Sequence, residues 1–308
     1  VRFFLVPLII LVIVFSASFA DEIKTTADHY PYLCSGVLRD ALPTSLGNGV
    51  IAQCEGLVIT QRDLDAQIAK LTGSKKEQAR KYPVYILERY LTQRLLLKEA
   101  KEWAKKSGRV GNSDDQLVRS YLAANTPKFD VDDAEAEAFY KEHAKMFGGS
   151  SYDQVKTSIV CFVRDQKTAE AEDQFTGSVG KRHTILVSDS WLRSEHDRWS
   201  KNPVEQARLS GRPTYVNFGV IGCCDKMNPV TQSLRQRYSS DELNVVFIHT
   251  GEEEVLSGLY GIKTIPVQFL FDKDGRLLLR HQGYISQDQV IAEFAKHGVE
   301  LTKGGGGE

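Results

Sequence analysis

Two adjacent thiols, Cys223 and Cys224 in "GVIGCCDKMNPV", are the residues of this 308-residue chain best suited to chemistry. They precede a helical pattern, "NPVTQSLRQRY". A cysteine at a helix N-terminus has its thiolate stabilised by the helix dipole and by unpaired amides, which makes it a nucleophile toward disulfides. Adjacency limits what the pair does with itself. Neighbouring Cα atoms lie about 3.8 Å apart across a trans peptide and about 2.9 Å across a cis one, whereas ordinary disulfides span roughly 4.4–6.8 Å. On a helix, adjacent side chains also diverge by about 100°. A Cys223–Cys224 disulfide is therefore expected to be strained and easily reduced. Binding of a soft cation such as Cu(I) or zinc is the other chemistry open to two thiolates. Two sulfurs are too few for a closed zinc site, and none of the seven histidines is spaced as a ligand near them, so no metal and no cofactor is assigned.

The remaining cysteines are Cys34, Cys54 and Cys161. Cys34 and Cys54 flank "ALPTSLGNG". A structural bridge between them would close a loop of about 20 residues, stabilising by roughly 3 kcal/mol in the chain-entropy model; two free buried thiols are the alternative. Cys161, in "SIVCFV", reads as a small buried hydrophobe.

The elements that must position the pair follow from periodicity. "ITQRDLDAQIAKL", "PVYILERYLTQRLLLKEAKEWAKK", "SDDQLVRSYLAA", "VDDAEAEAFYKEHAKMF" and "SYDQVKTSIVCFVRDQKTAEAEDQF" each place apolar residues at helical spacing, with Thr60 and Asp132 as N-caps and Pro83 in a first turn. Before them, residues 21–50 read as irregular, and nothing up to about 180 reads as a strand. Afterwards strand and helix alternate, ending in two strands joined at Asp274-Gly275 and a capped helix. The expected architecture is a multidomain chain in which an all-α domain precedes an α/β sandwich. Its expected parts are a signal segment at 1–20, a helical domain at 21–180 with an irregular N-terminal segment, a linker and entry elements at 181–204 that include the short β-rich run "HTILVS", the α/β domain at 205–300 and a disordered tail at 301–308.

Composition narrows the partners. Lys and Arg total 39 against 40 Asp and Glu, so there is no basic excess to favour nucleic acid. "VRFFLVPLIILVIVFSASFA" has a basic start, an apolar run from Phe3 to Phe15 and a small-x-small site at Ser18-Phe19-Ala20. That is the pattern of a cleaved secretory signal, and the apolar run is short of the roughly 20 residues a span needs. The mature protein is expected in the periplasm or another exported, oxidising compartment.

Residues 200–300 resemble the thioredoxin family. The carrying pieces are "SGRPTYVNFG", the cysteine pair at a helix start, "YGIKTIPVQFLF", and "DKDGR" before "HQGY". The resemblance implies thiol–disulfide exchange, and a cis proline at Pro266 after Ile265 whose backbone pairs with an extended substrate. Counted forward from Phe218, Cys223 takes the nucleophile's place; counted back from Pro229, Cys224 takes the resolving cysteine's. Two other registers leave either Cys223 alone facing Lys226, or Cys224 alone with Ile221 in the nucleophile's place. The chain departs from the family in its missing two-residue spacer. It also has Asn217 where the family carries a buried acid, and Gly222 where it carries an aromatic residue.

Residues 50–165 resemble the helical N-terminal region of SurA-type exported chaperones, through "GLVITQRDLDAQIAKL", "LERYLTQRLLLKEAKEWAKKSG" and "VDDAEAEAFYKEHAKMF". That resemblance implies a cradle for unfolded polypeptide; no parvulin isomerase domain is visible, so prolyl isomerase catalysis is not expected. A helical dimerisation or spacer domain is the alternative. Together the two resemblances imply a protein thiol–disulfide oxidoreductase acting on unfolded or disulfide-containing polypeptides, with a membrane or periplasmic redox partner. The competing reading is a non-catalytic peptide-binding chaperone with a degenerate α/β domain.

Overall fold

The computed structural model describes residues 24–109, 113–143, 147–221 and 227–301. The expected signal segment lies outside these residues, as do Cys223, Cys224 and the glycine-rich end. None of the described helices is long and apolar enough to cross a membrane.

The N-terminal part begins with α1 (Thr26–His29), a 3-10 turn (Val37–Asp40) and three strands, β1 (Leu42–Thr44), β2 (Val50–Cys54) and β3 (Leu57–Thr60). Helices follow: α2 (Gln61–Ala69), α3 (Gly73–Lys81), α4 (Pro83–Ser107), α5 (Asp114–Asn125), α6 (Asp133–Glu142), α7 (Tyr152–Gly177) and α8 (Val179–Arg182). Strand β4 (Leu186–Ser188) then returns to pair parallel with β1 and antiparallel with β2, giving the sheet order β1-β4-β2-β3. The reading of 21–50 as irregular is thereby corrected; within 181–204, residues 186–188 form a strand of this sheet. The strands are only three to five residues long, and β4 finds its partners across the whole helical region.

Local chemistry sets the helix ends. The Thr60 hydroxyl accepts from the Asp63 amide at 3.3 Å while the Asp63 carboxylate accepts from the Thr60 amide at 2.8 Å, a reciprocal cap on α2. Asp132 accepts from the Glu135 amide at 2.8 Å and starts α6. Helix α4 opens on Pro83, stops at Gly108 in the left-handed region (φ +63°), and buries Val84, Leu87, Leu91 and Leu95 along one stripe. Its Glu88 carboxylate is buried and accepts from the amides of Gly36 at 2.7 Å and Leu38 at 3.2 Å, pinning the N-terminal segment to the helices.

The C-terminal part contains α9 (Asp189–Trp199), α10 (Pro203–Arg208), β5 (Thr214–Gly219), α11 (Met227–Arg237), β6 (Asn244–His249), α12 (Glu254–Leu259), β7 (Val267–Phe271), β8 (Leu277–Gln282) and α13 (Gln287–Lys296). Its sheet runs β6-β5-β7-β8, with β5 parallel to β6 and the other pairs antiparallel. The β7–β8 loop spans residues 272–276, longer than a two-residue turn; Asp272 accepts from the amides of Asp274 and Arg276 at 2.9 and 2.8 Å, and Gly275 takes φ +75°. Side chains alternate across the sheet. Tyr215 packs with Met227, Val230, Leu234, Val290 and Phe294, whereas Val216 and Phe218 join a second core with Val255, Leu256 and Tyr260.

That second core continues into the helical part through Leu33, Tyr82, Leu87 and Trp199, so no solvent-exposed linker separates the two regions. Helix α12 docks on α3 and α4. Gln78 accepts from the Val255 amide at 2.9 Å and donates to the Glu252 carbonyl. Gly258 lies directly against the Tyr85 ring, so a methyl group there collides with it. Gly258→Ala is expected to cost about 1–3 kcal/mol through overpacking, read as a lower urea midpoint; an unchanged midpoint would show that α12 slides freely on α4.

Candidate active site

The strand register gathers the candidate site at one edge of the second sheet. Phe218 pairs with Val267, and Val267 with Gln282. The residues just beyond these pairs therefore emerge together: Ile221 after β5, Ile265 and Pro266 before β7, and Tyr284 after β8. The Ile265–Pro266 peptide is cis, as the resemblance implies. Both residues are half-buried, and the Pro266 carbonyl accepts from the Gly283 amide at 2.9 Å. Ile221 and Tyr284 are the exposed apolar groups of this edge, at 69% and 54% exposure, large values for side chains of their kind. Cys223 and Cys224 lie outside the described residues, between Ile221 and the start of α11 at Met227.

Asn217 is fully buried on the α11 side of the sheet. Its side-chain amide donates to the Thr231 hydroxyl at 3.2 Å, and that hydroxyl donates to the Met227 carbonyl at 3.1 Å. The Asn217 and Gln268 amides meet at 3.2 Å across the β5–β7 pair. With both amides turned over, Gln268 donates to the carbonyls of Gly283 and His281 at 3.1 and 3.3 Å and accepts from Asn217, whose oxygen then accepts from the Thr231 hydroxyl. The first turn of α11, the middle of β5 and the chain beside Pro266 are thus joined by uncharged hydrogen bonds. The network positions the site; an amide in this place holds no titrating proton for a thiol.

The other expected thiols behave differently from the sequence reading. Cys34 and Cys54 are both free and buried, so the structure does not contain the candidate bridge between them. Each is held by a separate anchor: Cys34 sits on the segment fixed by Glu88, and Cys54 is the last residue of β2, paired with Leu57. Burial pushes both thiols up in pKa, most strongly at Cys34, where Glu88 adds to the effect. Cys161 is exposed, not buried. On α7 the core is reached by Ile159 and Val163, four residues apart, and Cys161 points about 200° away from Ile159.

One group escaped the sequence reading altogether. Cys54, Glu55 and His183 bring a sulfur, a carboxylate oxygen and a ring nitrogen within 4.8 Å of one another. No spacing signal could reveal it, because His183 lies 128 residues beyond Glu55 and meets it only through the β2–β4 pairing.

No family model matches the chain. Thioredoxin 1 of Synechococcus elongatus is 31% identical over 90 residues, which is 29% of this chain and 82% of that protein. The thiol-disulfide oxidoreductase ResA of Bacillus thuringiensis and that of Bacillus anthracis are each 22% identical over 121 residues. Those matches take in 32% of this chain and 65% of each ResA, a little under two thirds of their length.

Proposed function

The chain belongs to the thioredoxin family, and from that premise we propose that it is an exported protein thiol–disulfide oxidoreductase acting on polypeptides held by its helical part. The observation that carries the reading is the strand register, which sets the cis Ile265–Pro266 peptide beside the chain that leads into Cys223 and Cys224. In the proposed step, the Cys223 thiolate attacks one sulfur of a client or partner disulfide. The other sulfur leaves as a thiolate and takes a proton from solvent, and a mixed disulfide remains on Cys223. Attack by Cys224 then releases the client thiol and leaves an internal disulfide, which the redox partner reduces. Because that vicinal bond is strained, the pair is expected to favour its reduced form or to stop at the mixed disulfide. Ile221, Ile265 and Tyr284 supply apolar contact for an extended client, with Pro266 aligning its backbone.

Reduction of a model disulfide by the full chain tests this. Wild type is expected to turn over, and Cys223→Ser to lose essentially all activity while retaining its fold. Equal inactivity of the two would remove the redox reading. Asn217 favours a second reading, since a neutral amide replaces the acid at the centre of the site. On that reading the domain is a peptide-docking platform, and aggregation suppression survives the double substitution of Cys223 and Cys224 by serine.

A further inference from the structure

We propose that Cys54, Glu55 and His183 form a binding site for one divalent cation of the zinc class, separate from the cysteine pair. The three residues come from different levels of the fold. Cys54 ends β2, Glu55 is the first residue of the two-residue β2–β3 turn, and His183 leads into β4. Their potential ligand atoms lie within 4.8 Å of one another. Sulfur, imidazole nitrogen and carboxylate oxygen are together the donor set of zinc and its neighbours.

The hydrogen bonds around His183 decide which nitrogen is available. Its Nε2 lies 3.0 Å from Glu99 Oε1. Glu99 itself is held by a two-pronged contact from Arg182, at 2.8 Å from both Nε and Nη2, and by the Tyr121 hydroxyl at 3.3 Å. A carboxylate is acceptor only, so a hydrogen on Nε2 serves Glu99, and the tautomer that carries it there turns the Nδ1 lone pair outward as a ligand. That lone pair faces Glu55 Oε1 at 2.9 Å. A nitrogen lone pair and a carboxylate oxygen at this distance need a bridge between them, and a metal ion supplies one. A carboxylate on the far nitrogen of a ligating histidine is the usual means of orienting it toward a metal. Here Glu99 fills that role.

Two further features fit a cation. The Glu55 carboxylate is divided, with Oε2 against Lys98 and Oε1 turned to His183, so one oxygen is free to ligate while the other stays anchored. Glu55 also holds φ +44°, followed by Gly56 at φ +85°. The left-handed first position of such a turn ordinarily takes Asn, Asp or Gly; a glutamate there tolerates an unfavourable backbone to place its carboxylate beside Cys54 and His183. Zinc sits about 2.0–2.2 Å from nitrogen and oxygen and about 2.3 Å from sulfur, so the Nδ1–Oε1 gap opens by a few tenths of an ångström on binding. The Cys54 thiol loses its proton to solvent as its sulfur coordinates, and water completes the fourth position.

The test is a cobalt titration of the full chain with Cys161, Cys223 and Cys224 replaced by serine, which removes the exposed thiol of α7 and the cysteine pair as competitors. The expected result is a sulfur-to-cobalt charge-transfer band that saturates at one ion per chain and is displaced by zinc. Cys54→Ser should abolish the band, and Glu99→Gln should weaken binding about 10- to 100-fold. Should Cys54→Ser fail to fold, His183→Gln, at the partly exposed edge of the cluster, should lose the same one-ion saturation. Absence of a band in the parent chain, or its persistence in Cys54→Ser or His183→Gln, would overturn the site. Neither outcome touches the disulfide chemistry, which the serine background already lacks.

Discussion

Trp199→Ala is expected to lower stability by about 3–5 kcal/mol and to separate the unfolding of the two parts of the chain. The indole is 1% exposed and lies between rings from both regions. It meets Tyr82, at the start of α4, edge-on with centroids 6.0 Å apart, and Tyr260, just after α12, at 5.0 Å. Tyr260 in turn packs on Phe218 and Phe269 of the second sheet. Truncation removes the ring and leaves a cavity at the junction, where relaxation of one part does not close the gap with the other. The aromatic contacts contribute beyond area, about 0.5–1.5 kcal/mol each. Urea unfolding followed by far-ultraviolet circular dichroism and by tyrosine fluorescence is the measurement. In the wild type the two curves should coincide; in Trp199→Ala they should not. Trp199→Phe, which keeps a ring in the stack, should retain coincidence. A loss below about 1 kcal/mol with coincident curves would show that Trp199 does not couple the two regions.

This junction marks the limit of what the sequence makes legible. The α/β part could be read because its signals are local: the apolar run of β5, the Pro266 segment and the cap of α13. The Ser286–Gln289 box is a sequence pattern and a structural fact alike, with both bonds formed at 2.9 and 3.2 Å. The long helices were legible for the same reason. The first sheet was not, because β1, β2 and β4 are short and β4 pairs with β1 and β2 across the whole intervening helical region. A pairing with that separation depends on tertiary packing and leaves no period in the chain. The facing of Cys161 illustrates a finer failure. An apolar neighbourhood in sequence, "SIVCFV", becomes two opposed helix faces once residues advance by about 100° each. At the candidate active site, the strand end and the cis proline were foreseeable, while the buried amide network around Asn217 required the β5–β7 register to place Gln268 opposite it.

Glu195→Gln is expected to stabilise the chain above pH about 7 and to do little below about 4.5. Glu195 lies on the inner face of α9, 2% exposed, with the Arg198 guanidinium 2.9 Å from Oε1. Burial outweighs that neighbour, which is half in solvent, and raises the Glu195 carboxyl from 4.5 to about 7. The folded state therefore binds more protons than the unfolded state between those two values. Stability falls as pH rises when the folded state is the better proton binder. The contribution of Glu195 is fully present below the unfolded value and is lost as pH climbs through the folded one. A shift of this size corresponds to about 3 kcal/mol at most. Glutamine keeps the shape of the protonated acid and never ionises, so it removes the slope; the lost attraction to Arg198 is already contained in the net shift. Chemical unfolding of both proteins across this range, compared as a difference, isolates the one group from all others that titrate. A difference that grows with pH and levels off above about 7 supports the assignment. Destabilisation by Glu195→Gln at high pH would mean instead that the Arg198 pair outweighs the burial cost and that the ionised carboxylate holds α9 in place.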